Sequence, residues 1–130
     1  MLINGAGGPL EGWMRVWEPL TELGTVVAWN RPGIGASDSP HVDQTSEAVT
    51  RQLQALLTAL AIPGPCVLVG HSLGGYLSFL AAVQKPELFS GIVLLDSALI
   101  DGVARNADVA ATCLLRALRL VSHMCCADVR

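Results

Sequence analysis

Residues 67–82 read VLVGHSLGGYLSFLAA and set Ser72 two residues from Gly70 on one side and Gly74 on the other. A serine hydroxyl at its ordinary pKa is a weak nucleophile. It attacks an acyl carbon only when a base takes its proton and N–H groups receive the charge that develops on the carbonyl oxygen. The spacing G-x-S-x-G carries little alone, but here an apolar run precedes it and a helix-like segment follows, the strand, turn and helix that an exposed serine elbow needs. Glycines at both flanks keep Cβ atoms away from the place where strand and helix nearly collide. The N–H of Leu73 then opens the helix, where the dipole favours a developing anion. A serine that merely caps the helix would not need both glycines. His71, adjacent in the chain, points away from Ser72 at such a turn and reads as a packing residue rather than as the base.

The elements that must position Ser72 follow from a change of apolar period along the chain. MLIN and TVVAW are short aliphatic runs that end in the turn-forming stretches GAGGP and RPGIGASDSP, so each reads as a buried strand entering a loop. Between Thr45 and Ala61 the pattern becomes helical, with Val49, Leu53, Leu56, Leu57 and Leu60 on one face, Thr45 or Ser46 as cap and Glu47 in the first turn. CVLVG is the next strand, residues 73–85 the next helix, closed before Pro86, and GIVLLD a further strand. Asp101 to Val121 reads as a last helix, with Leu114, Leu118 and Val121 on one side. Uninterrupted apolar strands alternating with helices predict an α/β fold, a parallel sheet of about four strands covered by right-handed crossovers.

Composition narrows the function. The chain has 130 residues, 52% hydrophobic and 15% charged, and its formal charge of −3 shows no basic run that could neutralise phosphates. Nucleic acid is therefore not an expected partner. The first ten residues do not read as a secretory signal, and no segment reaches the length of a membrane span. Cys66, Cys113, Cys125 and Cys126 lack paired metal-ligand spacing, so they read as reduced thiols in a cytoplasmic protein, with no metal and no cofactor implied. A nucleotide loop is also disfavoured. After Gly33 and Gly35, Asp38 occupies the third glycine position of G-x-G-x-x-G, and Pro40 blocks an immediate helix start.

Four motifs in order, NGAGG, WNRPGIGASD, GHSLGG and VLLDSA, give residues 1–100 a resemblance to the α/β-hydrolase superfamily. The resemblance implies a serine hydrolase acting on an ester, amide or related acyl substrate through an acyl-enzyme on Ser72. Its oxyanion hole would use the N–H of Leu73 and that of Ala6, since Asn4, Gly5, Ala6 and Gly7 stand at the family's H-G-x-G. Asn4 replaces the usual histidine there, and Asn30 stands where an aspartate often precedes the arginine.

The order of residues in that family is serine, acid, histidine. His41 precedes Ser72, so His123 is the formal candidate base, and Asp96, at the end of a strand, is the candidate acid, with Asp101 and Asp108 also lying between. In the family the histidine follows the last strand of a longer sheet, whereas one helix-like segment separates Asp96 from His123. The general base is therefore expected outside these residues. Met1 also opens directly on what resembles the family's third strand. The chain is thus expected to be a single incomplete domain: residues 1–100 hold the core βα units, and 101–130 form a helical segment resembling the start of a lid or crossover. TVVAW should lie at one edge, then LIN, CVLVG and GIVLL, and unpaired apolar edges invite self-association. The alternative is a non-catalytic chain that binds a partner through those edges, or binds a small acyl ligand.

Overall fold

A computed structural model describes residues 1–98 of the chain. Its centre is a parallel sheet of three strands, β1 (Leu2–Ile3), β2 (Cys66–His71) and β3 (Phe89–Leu95), in that spatial order. Leu2 is in register with Val69, and the β2–β3 ladder runs on to pair His71 with Leu95, so all three strands point their C-terminal ends the same way. The helices are α1 (Met14–Thr21), preceded by a 3₁₀ turn over Leu10–Trp13, then α2 (Ser46–Ala59) and α3 (Leu73–Gln84).

The α/β class and the order of the strands match the reading of the sequence. The fourth expected strand is reduced: Thr25–Trp29 meets β1 through a single bridge, Leu2 with Ala28, and the Leu2 N–H donates to Val27 O at 2.7 Å. The reason lies in β1, which is only two residues long before the glycine loop begins and so offers too short a ladder for a full partner.

α2 begins where its sequence says it should. Thr45, in extended backbone, caps it by accepting from the Ala48 N–H at 3.2 Å. Val49, Leu53 and Leu57 turn one stripe of α2 inward, and α2 packs beside α3, which in turn lies on β2 and β3. α3 is buried along most of its length and lacks a polar stripe, as expected for a helix between a sheet and another helix. Ile3, Leu53 and Leu68, all at 0% exposure, mark the middle of the core. The helix expected over 101–121 lies outside the described residues.

Candidate active site

β2 delivers the chain to Ser72 and α3 carries it away at once, so the turn between them is a single residue wide. Ser72 sits there at φ 50°, ψ −121°, a conformation that residues with a Cβ rarely adopt. Its backbone is tied on every side. The Ser72 N–H donates to Leu95 O at 3.0 Å, and its carbonyl accepts from the N–H groups of Gly75, Tyr76 and Ala98 at 3.0, 3.3 and 3.1 Å. The serine holds the capping position of α3, yet its side chain makes no capping hydrogen bond. The hydroxyl is therefore not engaged by its own helix.

The flanking glycines answer a packing demand. A Cβ on Gly70 would strike Gly74 O and lie 2.5 Å from Ser78 Oγ. One on Gly74 would strike Ile3 O and lie 2.5 Å from Asn4 O. Strand β1, strand β2 and the first turn of α3 meet here backbone to backbone. Gly75 has the same role toward the segment after β3, where a Cβ would lie 2.5 Å from Ser97 Oγ. The Leu73 N–H is the first of the helix.

Gly5 brings the loop after β1 against this elbow. A Cβ built on it would lie 3.3 Å from both Ser72 Cβ and His71 Nδ1. Ala6 and Gly7 follow, both exposed, with Gly7 in the left-handed region at φ 67°. Three side chains grip this loop. Arg31 Nη2 donates to Gly5 O at 2.6 Å, and Asn4 Nδ2 donates to Pro9 O. The Leu10 N–H donates to Asn30 Oδ1 at 2.6 Å. Asn4 and Asn30 thus hold the two ends of one peptide, Pro9–Leu10. In the sequence both asparagines stand out only as departures from a family pattern, with no such task attached to them, and Arg31 stands out for nothing.

Asp96 directly follows β3, in left-handed backbone at φ 44°, and is exposed at the same end of the sheet as Ser72. His71 is exposed at the end of β2, with its ring edge toward Gly5. His41 is exposed in the long loop before α2. His123, Asp101 and Asp108 lie outside the described residues, as do Cys113, Cys125 and Cys126. Cys66, at the start of β2, is a half-buried free thiol whose pKa burial pushes up, which disfavours the thiolate. No helix among the described residues is long and apolar enough to cross a membrane.

Residues 1–124 match the alpha/beta hydrolase family. An sn-1-specific diacylglycerol lipase of Mus musculus is 47% identical over 60 residues, 45% of this chain and 19% of that protein. A 2-hydroxy-6-oxo-6-(2'-aminophenyl)hexa-2,4-dienoic acid hydrolase of Metapseudomonas resinovorans is 32% identical over 96 residues, 73% of this chain and 33% of that enzyme. Among solved structures, a bacterial membrane phospholipase A superposes with a TM-score of 0.70 at 31% identity, covering 76% of this chain and 32% of its own. A structure from work on carboxylesterases of the thaumarchaeon Nitrososphaera gargenis gives 0.69 at 27% identity, over 85% of this chain and 44% of its own. The chain thus spans less than half the length of each of these proteins. A glycine-flanked elbow on a parallel sheet, a glycine loop seated against it and a family match over most of the sequence agree: the chain belongs to the α/β-hydrolase family and covers part of that fold.

Proposed function

We propose that this chain carries the nucleophile and oxyanion half of a serine hydrolase site whose substrate is a small-molecule carboxylic ester or related acyl compound. The observation that carries the reading is the backbone of Ser72, held at φ 50° and ψ −121° with its hydroxyl free of its own helix. Strain of this kind costs on the order of 1–3 kcal/mol and persists where something else requires it. In the proposed step Ser72 Oγ bonds to the acyl carbon and its proton passes to a base. The carbonyl electron pair moves onto oxygen, held by the N–H groups of Leu73 and Ala6. Collapse expels the alcohol or amine, which takes a proton, and leaves the acyl group on Ser72 for water to remove. The lipase, phospholipase and carboxylesterase names among the relatives favour an ester over an amide. The free thiol of Cys66 suits a cytoplasmic setting. Asp96 is the candidate acid from its place after β3, and the base is expected to be a group other than His41, His71 or His123.

A fluorophosphonate probe tests this. The 130-residue chain should take up the probe slowly at Ser72, faster when free imidazole supplies a base, and at the same rate after His123→Ala. Ser72→Ala should remain unlabelled. Labelling that is indifferent to Ser72→Ala would sink the reading, and imidazole-independent labelling lost in His123→Ala would make His123 the base.

A second reading rests on a separate observation. Among the described residues β3 is hydrogen-bonded along one side only, and Leu95 at its end is exposed. That edge could seat a second copy of the chain instead of serving catalysis. Size-exclusion elution distinguishes a defined dimer from a monomer.

A further inference from the structure

Arg31 is a half-buried cation directly behind the proposed oxyanion loop, and anchoring alone does not explain it. Its Nη2 donates to Gly5 O at 2.6 Å, short for an N–H to oxygen bond and in keeping with a charged donor. Burial pushes its pKa down from the ordinary arginine value, which it can bear while staying protonated. Among the described residues no carboxylate neutralises it: the only ion pair there joins Lys85 and Glu87, and Arg31 Nη1 is buried with no hydrogen-bond partner among them. Burying a charge this way is costly, whereas a neutral donor would fasten a carbonyl at less expense. The loop is also fastened elsewhere, because Asn4 and Asn30 hold the Pro9–Leu10 peptide. The chain is fixed just before Arg31: Ser37 Oγ donates to Asn30 O at 2.8 Å, and a Cβ at Gly35 would run into the Asn30 amide.

The bond falls at a telling place. Gly5 C=O and Ala6 N–H are the two ends of one peptide group. A cation hydrogen-bonded to the carbonyl end draws electron density toward oxygen and makes the N–H at the other end a stronger donor. The partly desolvated charge also projects its field toward the elbow, since Gly5 abuts Ser72. We propose that Arg31 is a positioning residue that holds and polarises the Gly5–Ala6 peptide so that the Ala6 N–H binds the substrate oxyanion more strongly. This rests on the roles proposed for Ser72 and Ala6.

The test uses the 130-residue chain labelled with nitrogen-15, in wild-type form and as Arg31→Met, Arg31→Gln and Arg31→Lys. Two quantities are read: the amide proton shift of Ala6, and the second-order rate of Ser72 modification by a fluorophosphonate in imidazole buffer. In Arg31→Met the Ala6 amide proton should move upfield while those of Val67 to Gly70 stay in place. The labelling rate should fall about tenfold, less than the ~100-fold cost of removing an oxyanion donor outright. Arg31→Lys, which keeps the charge, should recover most of the rate, and Arg31→Gln, a neutral donor, should not. An Arg31→Gln chain that labels as fast as wild type overturns the proposal, and it decides the matter if Arg31→Met fails to fold. If wild-type Ser72 takes no probe, the acyl-transfer reading falls and the amide shift decides alone. An unmoved Ala6 proton in a folded variant then rules Arg31 out, and a moved one retains it.

Discussion

Ser72 occupies a backbone conformation that glycine reaches freely, so its side chain is kept at the expense of stability. Ser72→Gly and Ser72→Ala both delete the hydroxyl, but only the first relieves the strain. Glycine in a folded protein is usually less stable than alanine by ~0.5–1 kcal/mol; here the order should reverse by about 1 kcal/mol in urea denaturation. An alanine variant as stable as the glycine variant would mean that the elbow is not strained. Gly74 is a sharper case. A Cβ there meets the backbone oxygens of Ile3 and Asn4, which cannot rotate aside, so Gly74→Ala should cost about 3 kcal/mol, the upper end of ordinary overpacking. Gly7→Ala, with open space around it but φ at 67°, should cost only the left-handed penalty of ~1–2 kcal/mol. Equal losses at the two positions would refute the close approach of β1 to α3.

The helices differ in how plainly their sequences announce them. α2 carries a cap, an acidic first turn and a clean apolar stripe, all legible in the residue types and their spacing. Thr45→Ala should therefore cost about 1 kcal/mol, read from the urea midpoint. Glu47, fully exposed in that first turn, has its carboxyl held below the usual carboxylate range, first by its own backbone N–H and then by the hydroxyls of Thr45 and Ser46. A depressed carboxylate stabilises the fold above its unfolded pKa, and that contribution disappears as pH falls through the folded one. Glu47→Gln should thus be less stable than wild type at neutral pH and indistinguishable from it in strong acid; a gap that persists in acid would assign the effect to something other than the charge. α1 is illegible for a physical reason. It is only eight residues long, none of them is buried, Pro19 interrupts its ladder, and exposed Met14 and Val16 accompany half-buried Trp17 and Leu20, so its apolar residues do not sort cleanly into a core face and a solvent face. Thr25–Trp29 misleads in the other direction: an aliphatic run predicts a strand, but it cannot know that its partner is two residues long. The elbow can be read because its chemistry is local in sequence. The grip of Asn4, Asn30 and Arg31 on the Gly5 loop joins residues up to 26 positions apart, and no local pattern records such pairings.

At the scale of the whole chain, the sheet and its helices bury a continuous core in which Ile3, Leu53 and Leu68 are sealed, while the hydrogen-bonding groups along the outer side of β3 have no partner among the described residues. An open strand edge is blunted in most proteins by lysines, prolines or a bulge placed along it. The β3 sequence FSGIVLL contains no charge and no proline, and it ends on exposed Leu95. Among the described residues nothing blunts that edge, and what opposes pairing is the net charge, a formal −3 at pH 7. That repulsion is weak at neutral pH and vanishes near the isoelectric point, about 5.4. The chain should therefore elute ahead of a 13.6 kDa monomer at pH 7, and more so as the pH approaches 5.4. Added salt should promote association at pH 7, by screening the repulsion, and have little effect near pH 5.4. Placing lysines on β3, at Ser90 and Val93, should restore monomer elution if this edge forms the contact. A chain that stays monomeric across this pH range at high concentration would show that the edge is covered, and would remove the self-association reading altogether.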